Sequence, residues 1–283
     1  PSGYTRHKPM PEIPDLEVVK DFLNERIAGR EIVRAEAPRP WIVRSMATED
    51  FIGDVIGRTF GKVLRVGKDL FFPLDDDRVL VANLMLTGHL QYCEPSERQS
   101  KRLYFLLGLD GADLRYLDDR QMGLIYYVRP DQLGDIKRLT ELGPDALDSR
   151  LTFDEFKAGI RPYTGEIKGV LARGKFLSGI GNAYVDEILW SAQVSPFRKR
   201  KEMSDEELLR VYDAIPVVLN EATEVVRDRM PPNIHLKVRD FLKVHRKGGE
   251  ACPRCGATIS EISPNQRITS WCRTCQPGGL IKN

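Results

Sequence analysis

The sequence has no apolar run approaching the ~18 residues that a bilayer-crossing helix needs, so no transmembrane helix and no membrane partner are expected. It also has little net charge: 43 Lys and Arg stand against 41 Asp and Glu, for a balance of +2. A protein that holds polyanions through overall charge is thereby excluded, and any positive surface must come from segregation. Segregation is present. Arg198-Lys199-Arg200-Lys201 is basic, and Arg246 to Lys282 carries six Lys/Arg against two Asp/Glu, whereas Asp75-Asp76-Asp77 and Ser204-Asp205-Glu206-Glu207 are acidic. Internal repeats and low-complexity segments are missing, which argues against a solenoid or a disordered tail protein. Cysteine is scarce, with five in 283 residues, and no signal-peptide pattern is seen; a reducing cytoplasm is the expected location. At this length, with 41% hydrophobic residues, the chain can build two ordinary cores and one small module.

Four of the five cysteines form two pairs, Cys252-Pro253-Arg254-Cys255 and Cys272-Arg273-Thr274-Cys275. Two residues between cysteines let both sulfurs face one ion, and two such knuckles complete the tetrahedron of one structural Zn²⁺. Two disulfides in a secreted chain are the alternative. Four thiolates without histidine describe a closed site, since catalytic zinc keeps a position open for water. Between the pairs, residues 257–263 and 267–271 read as strands of a hairpin with Pro264-Asn265 at its turn. A small basic hairpin on zinc suits phosphate.

Residues 1–10 show no periodicity and read as a tail. Leu16, Val19, Phe22, Leu23 and Ile27 recur at helical steps, with Asp15 as the expected N-cap and Gly29 as the stop. From residue 31 to about 127 the pattern is β-like, with candidate strands at 32–35, 63–66, 69–72, 79–84, 103–107, 113–117 and 124–128, and turns at Asp75–Asp77 and Asp110-Gly111. Gly143-Pro144 marks a linker, after which helices are expected at Thr152, at Ile167–Leu171, at Asn182–Gln193, and from Ser204 onward, the last kinked or split at Pro216. The fold class is therefore α+β: residues 11–140 an antiparallel β-sandwich with a leading helix, 145–245 a helical domain and 246–283 a zinc-finger hairpin. Gly179-Ile180-Gly181-Asn182, with Asn182 as the expected N-cap of the helix that follows, either aims backbone N–H groups at an anion or forms a close-packed corner between helices; the stretch by itself does not choose.

Three stretches together resemble the formamidopyrimidine-DNA glycosylase and endonuclease VIII family: Pro11-Glu12-Ile13-Pro14-Asp15-Leu16-Glu17, Gly179 to Glu187, and the finger with Gln266-Arg267-Ile268-Thr269 ahead of its second cysteine pair. The resemblance spans about residues 11–276. It implies a base-excision repair enzyme that removes oxidised or ring-opened bases from double-stranded DNA and cleaves the strand as a lyase, working as a monomer. It implies that Pro11 is the nucleophilic amine, that Glu12 is its acid/base partner and that Glu17 is a second carboxylate near the lesion. Lys68 would grip phosphate beside the lesion, and Asn182 and Arg267 would clamp backbone phosphates. Leu86 and the loop carrying Arg120 and Met122 would fill the gap left by the extruded base.

The sequence departs from the family pattern in three places. Gln121 and Met122 replace an arginine and an aromatic, which removes a charged fork toward the opposite base. The segment from Met230 to Lys237 looks shorter than in the oxoguanine-specific branch, which argues against 8-oxoguanine as the sole substrate. Pro11 follows Met10, and an acylated proline nitrogen is no nucleophile; translation starts at Met10, or the tail is removed, or the chain does something else. A DNA-binding protein that recognises damaged or abasic sites without cutting is the alternative function.

Overall fold

Leu16, Val19, Phe22, Leu23 and Ile27 line one side of a helix and are all buried. In the computed structural model, which describes residues 10–75, 77–264 and 267–278, that helix is α1, Ile13–Ile27. It starts two residues before Asp15. Asp15 instead sits in the first turn, where its carboxylate accepts the Glu12 N–H at 2.9 Å. An acid in the first turn ties off an orphan donor and meets the positive end of the helix dipole. Gly29 follows the last turn at φ +77°, a conformation with no steric cost for glycine. Residues 1–9 of the expected tail lie outside the described residues.

The chain divides into two units. The first comprises the described residues up to Glu141 together with Val226–Lys237. It is built on β1 (Arg34–Glu36), β2 (Val43–Ser45), α2 (Phe51–Val55), β3 (Leu64–Val66), β4 (Asp69–Leu74), β5 (Arg78–Asn83), β6 (Gly88–Cys93), β7 (Leu103–Leu109), β8 (Ala112–Asp118), β9 (Leu124–Val128) and α3 (Lys137–Thr140). Two sheets result, ordered β1-β7-β8-β6 and β2-β9-β5-β4-β3. All pairings are antiparallel except β2 with β9, which is parallel. Phe51 of α2 meets Phe105 of β7 at 6.0 Å and Tyr127 of β9 at 5.0 Å between ring centroids, so one aromatic joins both sheets of the sandwich. The strands β2 and β6 escaped the sequence reading. β2 is only three residues long, and β6 alternates His89, Leu90, Gln91 and Tyr92 immediately after a glycine that reads as a turn.

The second unit comprises Leu142–Val225 and the chain from Val238 onward. Its helices are α4 (Phe153–Ile160), α5 (Ile167–Leu171), α6 (Asn182–Ser191) and α7 (Asp205–Arg229), whose last residues belong to the first unit; the hairpin is β10 (Ile259–Ile262) with β11 (Thr269–Cys272). Thr152 caps α4 through a reciprocal pair with Glu155, as its sequence suggests. Helix α7 runs unbroken through Pro216. The proline costs one backbone bond, but Leu208, Val211, Ile215, Leu219, Ala222 and Val226 bury a continuous stripe on both sides of it, and packing outweighs that loss. The expected turn residue Asn265 lies outside the described residues, as does Gln266. Among the described residues no helix is long and apolar enough to cross a membrane.

Candidate nucleic-acid interface and active site

In the first unit, Pro11 and Glu12 immediately precede α1, and both are buried; Glu12 is only 3% exposed. One turn on, Glu17 accepts from Arg65 Nε at 2.5 Å and from Lys20 Nζ at 2.5 Å. Arg65 also donates to the Gly67 carbonyl at 2.8 Å. Glu17 and Arg65 thus brace the β3–β4 turn that carries Lys68, where Gly67 takes φ +58°. Lys68 is half-buried, and no carboxylate lies within ion-pair distance of its ammonium among the described residues. Burial holds its pKa below the ordinary lysine range, against the opposing fields of Glu12 and Asp69. Asp69 is itself held by Arg138 in a two-pronged pair at 2.7 and 2.5 Å. The structure therefore ties Glu17, through Arg65, to the turn that carries Lys68, and puts Lys68 in the field of Glu12, the neighbour of Pro11. The Pro11 nitrogen of this chain is in peptide linkage to Met10.

The same unit links two further turns to the Lys68 turn, one directly and the other through Asp118. Asn83, buried at the close of β5, donates to the Lys68 carbonyl at 3.3 Å and accepts the Met85 N–H at 3.1 Å, so the Leu86 turn hangs from the Lys68 turn. Leu86 and Met122 are half-buried, and Arg120 and Gln121 are exposed.

In the second unit, Gly181 is the N-cap of α6, so Asn182 is its first helical residue and not the cap expected from sequence. Gly181 has extended backbone, which caps prefer, and Asn182 is thereby freed to reach sideways. Its Nδ2 donates to the Ile268 carbonyl at 2.8 Å, one residue beyond the exposed Arg267. The sequence reading missed the groups that seat the finger. Lys168 donates to Asp186 Oδ1 at 2.7 Å, to the Ile268 carbonyl at 2.6 Å and to Thr269 Oγ1 at 2.9 Å. Asp186 Oδ2 meets His245 Nδ1 at 2.8 Å and accepts the Ser270 N–H at 3.2 Å. Glu187 accepts the N–H groups of Lys243, Val244 and His245 at 2.8–2.9 Å, while burial pushes its pKa up. The signal was available: two adjacent acids interrupt the apolar run Tyr184-Val185 and Ile188-Leu189-Trp190, and buried acids require partners.

The four cysteine sulfurs of the pairs lie within 4.8 Å of one another. Cys252 and Cys275 are 3.9 Å apart and Cys255 and Cys272 are 3.4 Å apart, too far for disulfides and close to the roughly 3.8 Å of tetrahedral thiolates around zinc. Burial disfavours the Cys252 thiolate, but the Trp190 indole N–H and the Arg254 and Cys255 backbone bring it down to about 6. Burial and the neighbouring sulfurs push Cys275 up to about 12. Sulfurs this close do not all ionise without a cation among them, so the donor set fits Zn²⁺. Trp190, Val244 and Ile259 pack around the cluster, which makes the finger and α6 one core.

Comparison with known proteins accounts for all three regions. Residues 10–125 match the formamidopyrimidine-DNA glycosylase N-terminal domain, residues 142–230 its H2TH domain, and residues 249–278 the zinc finger found in FPG and IleRS. The formamidopyrimidine-DNA glycosylase of Pelotomaculum thermopropionicum is 32% identical over 273 residues, covering 94% of this chain and 99% of the relative. That of Symbiobacterium thermophilum is 33% identical over 276 residues, covering 95% and 90%. Among solved structures, a Lactococcus lactis FPG variant in complex with Fapy-dG containing DNA superposes with a TM-score of 0.86 at 28% identity, covering 95% of this chain and 100% of that one. The Lactococcus lactis Fpg complex with an abasic site containing DNA gives the same TM-score and identity over 94% and 100%.

Proposed function

The chain belongs to the formamidopyrimidine-DNA glycosylase family, and on that premise we propose that it is a bifunctional base-excision repair enzyme. It acts on double-stranded DNA in the cytoplasm, as a monomer. Its substrates are oxidised or ring-opened bases, formamidopyrimidines and oxidised pyrimidines foremost, and its products are a released base and a cut strand. The observation that carries this reading is the buried Glu12 carboxyl beside Pro11, within the electrostatic reach of Lys68.

A free Pro11 amine attacks C1′ of the damaged nucleoside, and the C1′–N bond to the base breaks. Glu12 donates the proton that opens the sugar ring and then shuttles protons at the amine. The secondary amine yields a cationic iminium directly. That cation is the electron sink for β- and then δ-elimination, which expel the 3′ and 5′ phosphates in turn. Lys68 holds a phosphate beside the reacting sugar, and Glu17 keeps the Lys68 turn in place through Arg65. Asn182 and Arg267 hold backbone phosphates from the second unit, and Leu86, Arg120 and Met122 occupy the gap in the stack. Cys252, Cys255, Cys272 and Cys275 would hold one Zn²⁺, which supplies folding energy to the finger when bound and takes no part in the chemistry.

The Met10–Pro11 peptide bond favours a second reading, an abasic-site binder that does not cut. Borohydride trapping on abasic DNA separates the two. A chain starting at Pro11 is expected to form a crosslink that peptide mapping places on Pro11, and a chain with Met10 attached is expected to trap poorly. Glu12→Gln in the former is expected to lose base release far more than cleavage at a preformed abasic site. Absence of trapping in both chains, with abasic-site binding kept, overturns the lyase assignment.

A further inference from the structure

Asp118 closes β8 at 1% exposure, and every lone pair of its carboxylate is aimed at something. Oδ1 accepts from the Thr87 hydroxyl and from the Arg120 N–H at 3.1 Å. Oδ2 accepts from the Tyr116 hydroxyl at 3.0 Å and from the Gly123 N–H at 2.8 Å. These donors come from both turns that the site uses. Thr87 follows Leu86 in the β5–β6 connection, and Arg120 and Gly123 bracket Gln121 and Met122 in the β8–β9 connection. The Tyr116 hydroxyl is wedged between the same two turns. A Cβ on Gly123 would lie 1.7 Å from it, and one on Gly88 would lie 2.5 Å from it and 2.5 Å from the Leu84 carbonyl. Each turn also contains a side chain in left-handed backbone, Met85 at φ +49° and Gln121 at φ +58°. Such conformations persist only where the surroundings over-determine them. Burial works against the Asp118 charge, yet the four donors hold its pKa below the usual carboxylate range.

We propose that Asp118 is a positioning residue that locks the Leu86 turn and the Arg120–Met122 turn into one rigid wedge for the opened base stack. Within the Leu86 turn the Gly88 N–H donates to the Leu84 carbonyl at 2.9 Å, and within the other turn Arg120 and Gly123 donate to Asp118. The bond from Thr87 to that same carboxylate ties the two together, so that they move as one. The inference rests on the DNA-binding part of the reading above and is independent of the Pro11 chemistry.

The test is a duplex carrying 2-aminopurine opposite a tetrahydrofuran abasic analogue, which reports wedge insertion without any reaction. The intact protein is expected to change the fluorescence on binding. Asp118→Asn replaces one acceptor with an NH₂ group that faces the N–H donors, and the charged acceptor is lost. It is expected to abolish the fluorescence change and to weaken duplex binding about tenfold. Affinity for single-stranded abasic oligonucleotide, which has no stack to open, is expected to stay within about twofold. Thr87→Val, which removes one donor and keeps the volume, is the second variant should Asp118→Asn fail to fold. It is expected to reduce the fluorescence change with the single-strand affinity kept. An unaltered fluorescence change in the variant that folds, or equal loss on duplex and single strand, overturns the proposal. So does a silent intact protein that binds the duplex. Failure of Pro11 trapping alone leaves this readout untouched and sinks only the lyase assignment.

Discussion

Substituting Lys168 by Met tests whether a buried polar cluster seats the finger. The side chain of Asp186 has 0% exposure and that of Lys168 11%, and their contact is 2.7 Å. Removing one partner of a buried pair costs about 3–5 kcal/mol, because the remaining charge stays buried without its counterion. Asp186 keeps His245 and the Ser270 N–H, so the loss belongs at the low end, about 3 kcal/mol, which is roughly 150-fold in the folding equilibrium. Met fills a similar volume, so little of this arises from a cavity. Urea unfolding of the full chain gives the stability, and hydrogen exchange at the Ser270 and Cys272 amides reports the hairpin locally. Adding Asp186→Asn to Lys168→Met removes the stranded charge and is expected to recover about 1–2 kcal/mol. The double variant is thus more stable than the single one. A loss under about 1 kcal/mol in the single variant, or losses that simply add in the double, refutes the reasoning, since independent sites add and coupled charges do not. Zinc content measured alongside separates loss of seating from loss of metal.

Three further outcomes are expected. Cys272→Ser should release about one zinc per chain and most duplex affinity while the first unit stays folded; normal DNA binding by zinc-free protein would contradict it. Arg267→Ala should weaken binding to lesion-bearing duplex and lower the salt slope by about 1, and an unchanged slope would assign Arg267 to finger structure. Lys68→Met should raise the thermal midpoint, because burial disfavours the cation in the folded chain, and should lower duplex affinity. The Lys68 cation exists below its depressed folded pKa and is lost as pH rises through it. The affinity gap between the parent chain and Lys68→Met should therefore begin to narrow below the ordinary lysine value of about 10.4, and a gap undiminished up to that pH would contradict this.

Local chemistry accounts for what was legible in the sequence. The two Cys-x-x-Cys pairs specified a tetrathiolate cluster because two-residue spacing leaves few other arrangements, and the structure closes that cluster. Helix α1, the capped start of α4 and most strands followed from periodicity and capping residues, and the three-part motif placed the chain in its family. What escaped was decided by distant partners. Asp15 is an N3 acid because the buried Glu12 takes the N-cap and donates its N–H to it, and Asn182 loses the capping role because extended Gly181 takes it. Pro216 does not break α7, since the stripe buried on both sides of it exceeds one missing hydrogen bond. Residues 226–237 join the first unit although the helix that leads to them starts in the second. Lys168 meets Asp186 across 18 residues, Asp186 meets His245 across 59, and Asp118 meets Thr87 across 31. No window of sequence contains those pairs. Spacing rules describe which side chains share a face of one element, and only the packed chain decides which buried charge meets which donor.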